Sequence, residues 1–139
     1  MGIRFLDPGE KEFVRDAING DPEFKLAAKF FSNDIQLTAG DSKCIIKVRD
    51  GMIADILLDP TFMDPWDFFI KATADAWEKF LQPLPPPYHN SLFPAMIRQT
   101  FEVGGDLENL FAHFWPVNRM LDMMRELQNT RRGLDNGKI

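Results

Sequence analysis

The apolar positions change their period along the chain, and each change marks an element boundary. After Asp7-Pro8-Gly9-Glu10, the residues Phe13, Val14, Ala17 and Ile18 recur at the spacing of one helical face, and Asn19-Gly20 ends the run. A second helix begins at once. Asp21 can cap it and Pro22 suits its first turn, while Phe24, Leu26, Ala27, Ala28, Phe30 and Phe31 predict a wide apolar face. The period then falls to two. Ile35, Leu37 and Ala39 alternate with Gln36 and Thr38, Gly40-Asp41-Ser42 turns the chain, and Cys44, Ile46 and Val48 alternate with Lys43, Lys47 and Arg49. Asp50-Gly51 favours a hairpin turn with positive φ at both central residues and leads into a third strand, Met52 to Leu58.

Asp59 to Pro65 reads as a loop, and Asp67 to Ala72 as a fourth strand. A helix starting at Thr73 or Asp75 carries Ala76, Trp77, Phe80 and Leu81, and must stop at Pro83 because proline disfavours helix in the residue before it. The prolines at 85, 86 and 87 make a stiff connector. Leu92, Phe93, Met96 and Ile97 predict a short helix, Gln99 to Val103 a fifth strand, and Gly104-Gly105-Asp106 a turn into the last helical region. There Pro116, lacking an amide proton, places a break near Trp115 and can open a further helix with an inward stripe of Val117, Met120, Leu121, Met124 and Leu127. Residues 129–139 are polar and read as a flexible tail. The sum is an α+β fold in one domain spanning 1–139: a five-stranded, mainly antiparallel sheet covered by helices, with an apolar cavity between them as the sharper alternative to a filled core.

Composition narrows the function. The chain has 139 residues, 45% hydrophobic and 27% charged, which suits an ordinary globular domain. Its single cysteine, Cys44, can form no internal disulfide, which points to a reducing compartment and a cytoplasmic setting. A net charge of -5 repels a phosphate backbone and argues against nucleic acid as a partner. There is no long uninterrupted apolar run and no signal-peptide pattern at the N-terminus, so integral membrane association is not expected. The unusual feature is 13 Phe beside one Tyr, with seven Met: large apolar side chains that carry no hydroxyl to satisfy.

Catalytic chemistry is thinly represented. The two histidines are His89, in the loop after the prolines, and His113, between Ala112 and Phe114 on a helix, and no metal-binding spacing joins either to a second ligand. His89 is the one candidate acid or base. Asp59, Asp64 and Asp67 lack a calcium-loop pattern and read as cap and turn residues. Cys44 alternates inward, where burial suppresses its ionisation. Gly104-Gly105 before a helix start could meet an anion, but Asp106 fills that place as a cap. Neither a metal nor a cofactor is called for.

The organisation resembles the sterol carrier protein type 2 domain from about Lys11 to Leu127. Three stretches carry the resemblance: the hairpin array Ile35-Gln36-Leu37 to Val48-Arg49-Asp50-Gly51, the strand and helix from Asp67-Phe68-Phe69-Ile70 to Ala76-Trp77-Glu78-Lys79-Phe80, and Phe101-Glu102-Val103-Gly104-Gly105-Asp106 to Leu110. The resemblance implies an apolar tunnel between sheet and helices that accepts sterols, fatty acyl chains, acyl-CoA or phospholipids, with the terminal helix as one wall. Two departures are the prolines at 83 to 87 and an ending of Gly137-Lys138-Ile139 in place of a peroxisomal Ser-Lys-Leu type signal.

The expected function is therefore non-enzymatic binding or transfer of a lipid or other hydrophobic small molecule. Candidate ligand-binding residues from the strands and middle helices are Phe68, Ile70, Trp77, Phe93, Met96 and Phe101. Leu110, Phe114, Met120 and Met124 add the last helical region, where methionines would adapt to differing ligand shapes and the segment after Pro116 would act as a movable wall. The alternatives are a small isomerase or hydratase acting in the same cavity with His89 or an acidic residue as base, and an interaction module docking through the terminal helix. Ile45, Leu57 and Phe69 fall on the strand face opposite Cys44, Ile46, Ile56, Phe68 and Ile70, where an outward apolar patch would suit a homodimer.

Overall fold

The computed structural model describes residues 3–83, 92, 96 and 100–129. A single turn of 3-10 helix (Arg4–Leu6) precedes α1 (Lys11–Asn19) and α2 (Pro22–Ala27). Then come β1 (Asp34–Ala39), β2 (Ser42–Arg49), β3 (Met52–Leu58), β4 (Phe68–Ala72) and α3 (Ala74–Phe80), followed by β5 (Glu102–Gly105), α4 (Leu107–Ala112) and α5 (Phe114–Gln128). Local chemistry accounts for the boundaries. The Asp21 carboxylate accepts from the Phe24 amide at 2.8 Å with Pro22 in the first turn, and Thr73 caps α3 by accepting from the Ala76 amide at 3.1 Å. Asp50 and Gly51 both have positive φ, 52° and 80°, as the β2–β3 turn requires.

The sheet order is β3-β2-β1-β4-β5, antiparallel except between β1 and β4, which run parallel. Its two faces differ sharply. The inner face carries the rows Leu58–Cys44–Leu37–Ile70–Val103 and Ile56–Ile46–Ile35–Phe68–Gly105, apolar from edge to edge. On the outer face only the row Leu57–Ile45–Gln36–Phe69–Gly104 is largely apolar, flanked by Lys43–Thr38–Lys71–Glu102 on one side and by Asp55, Lys47 and Asp34 on the other.

The parallel pair has a consequence for that outer row. Because β3 and β4 run the same way with two strands between them, residues 59–67 must return along one face of the sheet. Helices occupy the inner face, and Trp66 stands edge-on to Phe69 with ring centroids 5.5 Å apart, which places the return on the outer one. Ile45, at the centre of that face, is 0% exposed. Of the patch expected at Ile45, Leu57 and Phe69, Ile45 is thus covered while Leu57 and Phe69 stay half-buried, and the return itself turns Phe62 and Met63 to solvent. Asp67 fastens the return: its carboxylate accepts from the Asp34 amide at 2.7 Å and from Asn33 Nδ2 at 3.1 Å, and its own amide donates to the Asp34 carbonyl at 2.8 Å.

Three further expectations are corrected. The fifth strand is Glu102–Gly105, so Gly104 and Gly105 extend the ladder instead of turning it. A Cβ on Gly104 would lie 2.4 Å from the Phe69 ring, and Gly105 has a φ of 87° with a Cβ position 2.7 Å from the Asp67 carbonyl; only glycine lets β5 approach β4 there. Asp106 then makes the turn and caps α4, accepting from the Asn109 amide at 3.1 Å. The apolar face of the second helix is narrower than its sequence suggests. Helix α2 stops at Ala27, so Phe24, Ala28 and Phe31 are buried while Leu26 (78% exposed) and Phe30 (84%) face solvent. Finally, the break before Pro116 falls at His113, which puts the proline in the first turn of α5, where its missing amide leaves no bond unmade.

Helix α5 is built into the core. Pro116, Val117, Met120, Leu121, Met123, Met124 and Leu127 are buried. Its Arg119 forms a two-pronged bond to the Asp21 carboxylate, 2.8 and 2.9 Å, tying α5 to the start of α2. That guanidinium holds the Asp21 carboxyl below the usual carboxylate range, with the Phe24 amide acting in the same direction.

Candidate functional site

The apolar rows of the sheet, the buried side chains of α3 and the apolar stripe of α5 belong to one hydrophobic cluster, the seam between sheet and helices. Its centre is aromatic. Trp77 packs against Phe101 (centroids 4.8 Å apart), Phe5 (5.5 Å) and Phe80 (5.8 Å), all in edge-on contacts, and Phe80 lies 5.0 Å from Phe101. The indole N–H, the only polar group of that side chain, donates to the Thr38 carbonyl at 2.8 Å. Arg125 crosses from α5, donating Nε to the Phe80 carbonyl at 2.7 Å with its guanidinium 4.7 Å over the Phe80 ring.

Of the residues predicted to bind ligand, Phe68, Ile70, Trp77, Phe101, Leu110, Met120 and Met124 lie buried in this one cluster, and Met96 and Phe114 are partly buried against it. Phe93 lies outside the described residues, as do His89 and the connector after Pro83. Phe68, Ile70, Trp77, Leu110 and Met120 are each 0% exposed, so those described side chains fill the space around one another. The described open volumes lie at the rim. One of 480 Å³ is lined by Met96, Phe101, Glu102 and Val103, beside a second of 250 Å³ lined by Gly40, Lys71, Ala72, Thr73, Thr100 and Glu102. A third, of 370 Å³, lies between the N-terminal turn and α3 and is lined by Ile3, Leu6, Asp7, Ala39, Ser42, Ala74 and Glu78.

The titratable groups near the seam are engaged structurally. His113 stacks on Phe31 at 4.9 Å, and its Nδ1 lies 3.1 Å from the Asn109 carbonyl. Burial pushes the Cys44 thiol far above its ordinary value, which leaves it a protonated, unreactive group. On the outer return, away from the seam, Asp64 closes its own loop by accepting from the Thr61 amide at 2.8 Å. Among the described residues no group of three or more His, Cys, Asp or Glu is placed to hold a metal ion, and no helix is long and apolar enough to cross a membrane.

Sequence reasoning missed two parts of this arrangement. Phe5 precedes any periodic run, so its place beside Trp77 has no local signal. Lys71 falls within the predicted fourth strand, Thr73 at a helix start and Thr100 within the predicted fifth strand, and only the fold brings them to one rim.

No family model matches the sequence, and no curated protein matches it. Solved structures do. A crystal structure of sterol carrier protein 2 is similar with a TM-score of 0.66 at 17% identity, covering 83% of this chain and 92% of that one. The solution structure of a conserved hypothetical protein from Thermus thermophilus, described as possibly a sterol carrier protein, is similar with a TM-score of 0.71 at 14% identity over 94% of each chain. Sterol carrier protein 2 from Yarrowia lipolytica, in its apo form, is similar with a TM-score of 0.51 at 11% identity, covering 86% of this chain and 89% of that one. At these identities the likeness is one of fold, and the chain has the sterol carrier protein 2 fold.

Proposed function

We propose, from that fold, that this chain binds a lipid or another hydrophobic small molecule, of fatty acyl, acyl-CoA or sterol-like character, and carries it in the cytoplasm without transforming it. The observation that carries this reading is the seam. Its described lining is hydrocarbon, aromatic ring and thioether from β4, α3, α4 and α5, with its indole N–H satisfied by the Thr38 carbonyl and the Arg125 guanidinium engaged over Phe80. Such a lining recognises apolar volume. Since the described side chains fill the seam, a ligand enters by displacing them, and the chain offers two means: the break at His113 between α4 and α5, and the unbranched Met120, Met123 and Met124, which repack at little energetic cost. The sterol carrier names of the similar structures point the same way.

For the enzyme reading, His113 lies against Phe31 and the Cys44 thiol is held protonated, while burial raises the Asp122 carboxyl on α5 and His89 lies outside the described residues. Self-association, for which the returning loop offers exposed apolar side chains at Phe62 (97% exposed) and Met63 (75%), is read directly by sedimentation at increasing concentration.

Native mass spectrometry and organic extraction of the purified protein test the carrier reading. A co-purifying lipid, or saturable binding of a long-chain fatty acid, an acyl-CoA or a sterol, is expected. An empty extract together with failure of all three in titration overturns it.

A further inference from the structure

The two depressions along the β5 edge share one wall, Glu102, and divide the chemistry of an amphiphile between them. The 480 Å³ depression is apolar on its other described sides, with Met96, Phe101 and Val103. The 250 Å³ depression has Lys71, Thr73 and Thr100 among its lining residues, one side chain with an ammonium and two with hydroxyls. Phe101 connects the apolar arm to the seam, because its ring lies 4.8 Å from Trp77 and 5.0 Å from Phe80. A chain that passes Phe101 reaches the aromatic centre, while its outer end turns round the β5 edge toward the outer-face row that carries Lys71 and Glu102.

Resting on the carrier reading above, we propose that Lys71, Thr73 and Thr100 form a headgroup subsite and that the ligand is an amphiphile with an anionic end, such as a carboxylate. Lys71 has no ion pair within 4.0 Å among the described residues, although Glu102 stands opposite it in register on β5. The Thr73 oxygen already accepts from the Ala76 amide, which leaves its hydroxyl proton free to donate outward. Thr100 adds a second hydroxyl at the same wall. A cation and hydroxyl donors suit an acceptor-only anion better than a neutral alcohol. The Glu102 carboxylate opposes an anion, so its removal should strengthen what removal of Lys71 weakens.

The test titrates the full-length protein with dodecanoate and with dodecanol, in the wild type and in Lys71→Met and Glu102→Gln. Both substitutions are on exposed side chains, and circular dichroism verifies the fold. The wild type should prefer dodecanoate, and Lys71→Met should weaken dodecanoate about tenfold, the scale of one charge-assisted contact, while changing dodecanol less than about twofold. Glu102→Gln should tighten dodecanoate and leave dodecanol unchanged. Equal affinity for the two ligands, or a dodecanoate affinity indifferent to Lys71→Met, overturns the subsite and leaves the carrier reading standing. Binding of neither ligand by the folded wild type overturns the subsite, and the carrier reading falls with it if acyl-CoA and sterol also fail.

Discussion

The two faces of the sheet are both covered, but by different means. Over the inner face, apolar rows from all five strands meet apolar stripes from several helices, with polar crossings at Arg125 over the Phe80 ring and at Lys11 and Asn19 beside β3. Over the outer face, one largely apolar row is shielded by a returning loop, with lysines and acids on the flanking rows. Each cover is fastened by one aspartate: Asp21, bonded to Arg119 of α5, for the helices, and Asp67, bonded to Asn33 and Asp34, for the loop. The difference separates two purposes of burial. A covered row with charged margins makes a wall, whereas a seam lined with rings and thioethers from elements that meet at a break has the means to admit a guest.

Substitutions on each face sharpen that contrast. The largest effect belongs to Trp77→Ala, which removes the centre of the aromatic cluster and leaves the Thr38 carbonyl without its donor. It should cost about 3–5 kcal/mol in urea unfolding. Ile45→Ala should cost about 2 kcal/mol, the low end for a buried aliphatic, because a loop can settle into the space more easily than a helix. A negligible cost at Ile45 would mean that the loop does not seal the outer face.

Asp21→Ala should cost about 1 kcal/mol through the lost cap, and more through the lost two-pronged bond of Arg119, which keeps only its longer contacts to Glu23 and Glu126 at 3.8 Å. Its pH dependence has a definite sign. Because the Asp21 carboxyl is depressed in the folded state, its contribution is fully present above its ordinary value, near pH 4, and disappears as pH falls through the lower folded value. Acid titration should therefore destabilise the wild type more steeply in that range than Asp21→Ala. The smallest effect is at the surface: Phe30→Ser should change stability by less than about 0.5 kcal/mol, since that ring already faces water.

Much of this contrast is legible in the sequence. Alternation from Ile35 to Val48 assigns the inner residues of the hairpin, and Asp50-Gly51, Asp21-Pro22 and Pro116 mark a turn, a helix start and a break. Periodicity fails where tertiary contact decides. Gly104 and Gly105 look like a turn because their reason is the Phe69 ring and the Asp67 carbonyl, both remote in sequence. Phe30 looks like part of a helical face because nothing local says that α2 stops at Ala27. The parallel β1–β4 pairing, and with it the covering of Ile45, depends on where a loop returns, which alternation does not encode. The apolar candidates on β4, α3, α4 and α5 meet because the seam collects inward positions from each, while Lys71 and Thr100 come together only through strand register and the sheet edge.

The central claim is that an apolar ligand enters the seam beside Trp77. The chain has three tryptophans, and Trp66 and Trp115 lie at the surface while Trp77 is buried, so a Trp66→Phe, Trp115→Phe variant reports on the seam alone. Titrating it with a mid-chain dibrominated fatty acid, a short-range quencher, should give saturable loss of Trp77 emission that the unbrominated acid competes away. Saturable binding of that acid without any quenching of Trp77 would place the ligand elsewhere and contradict the account.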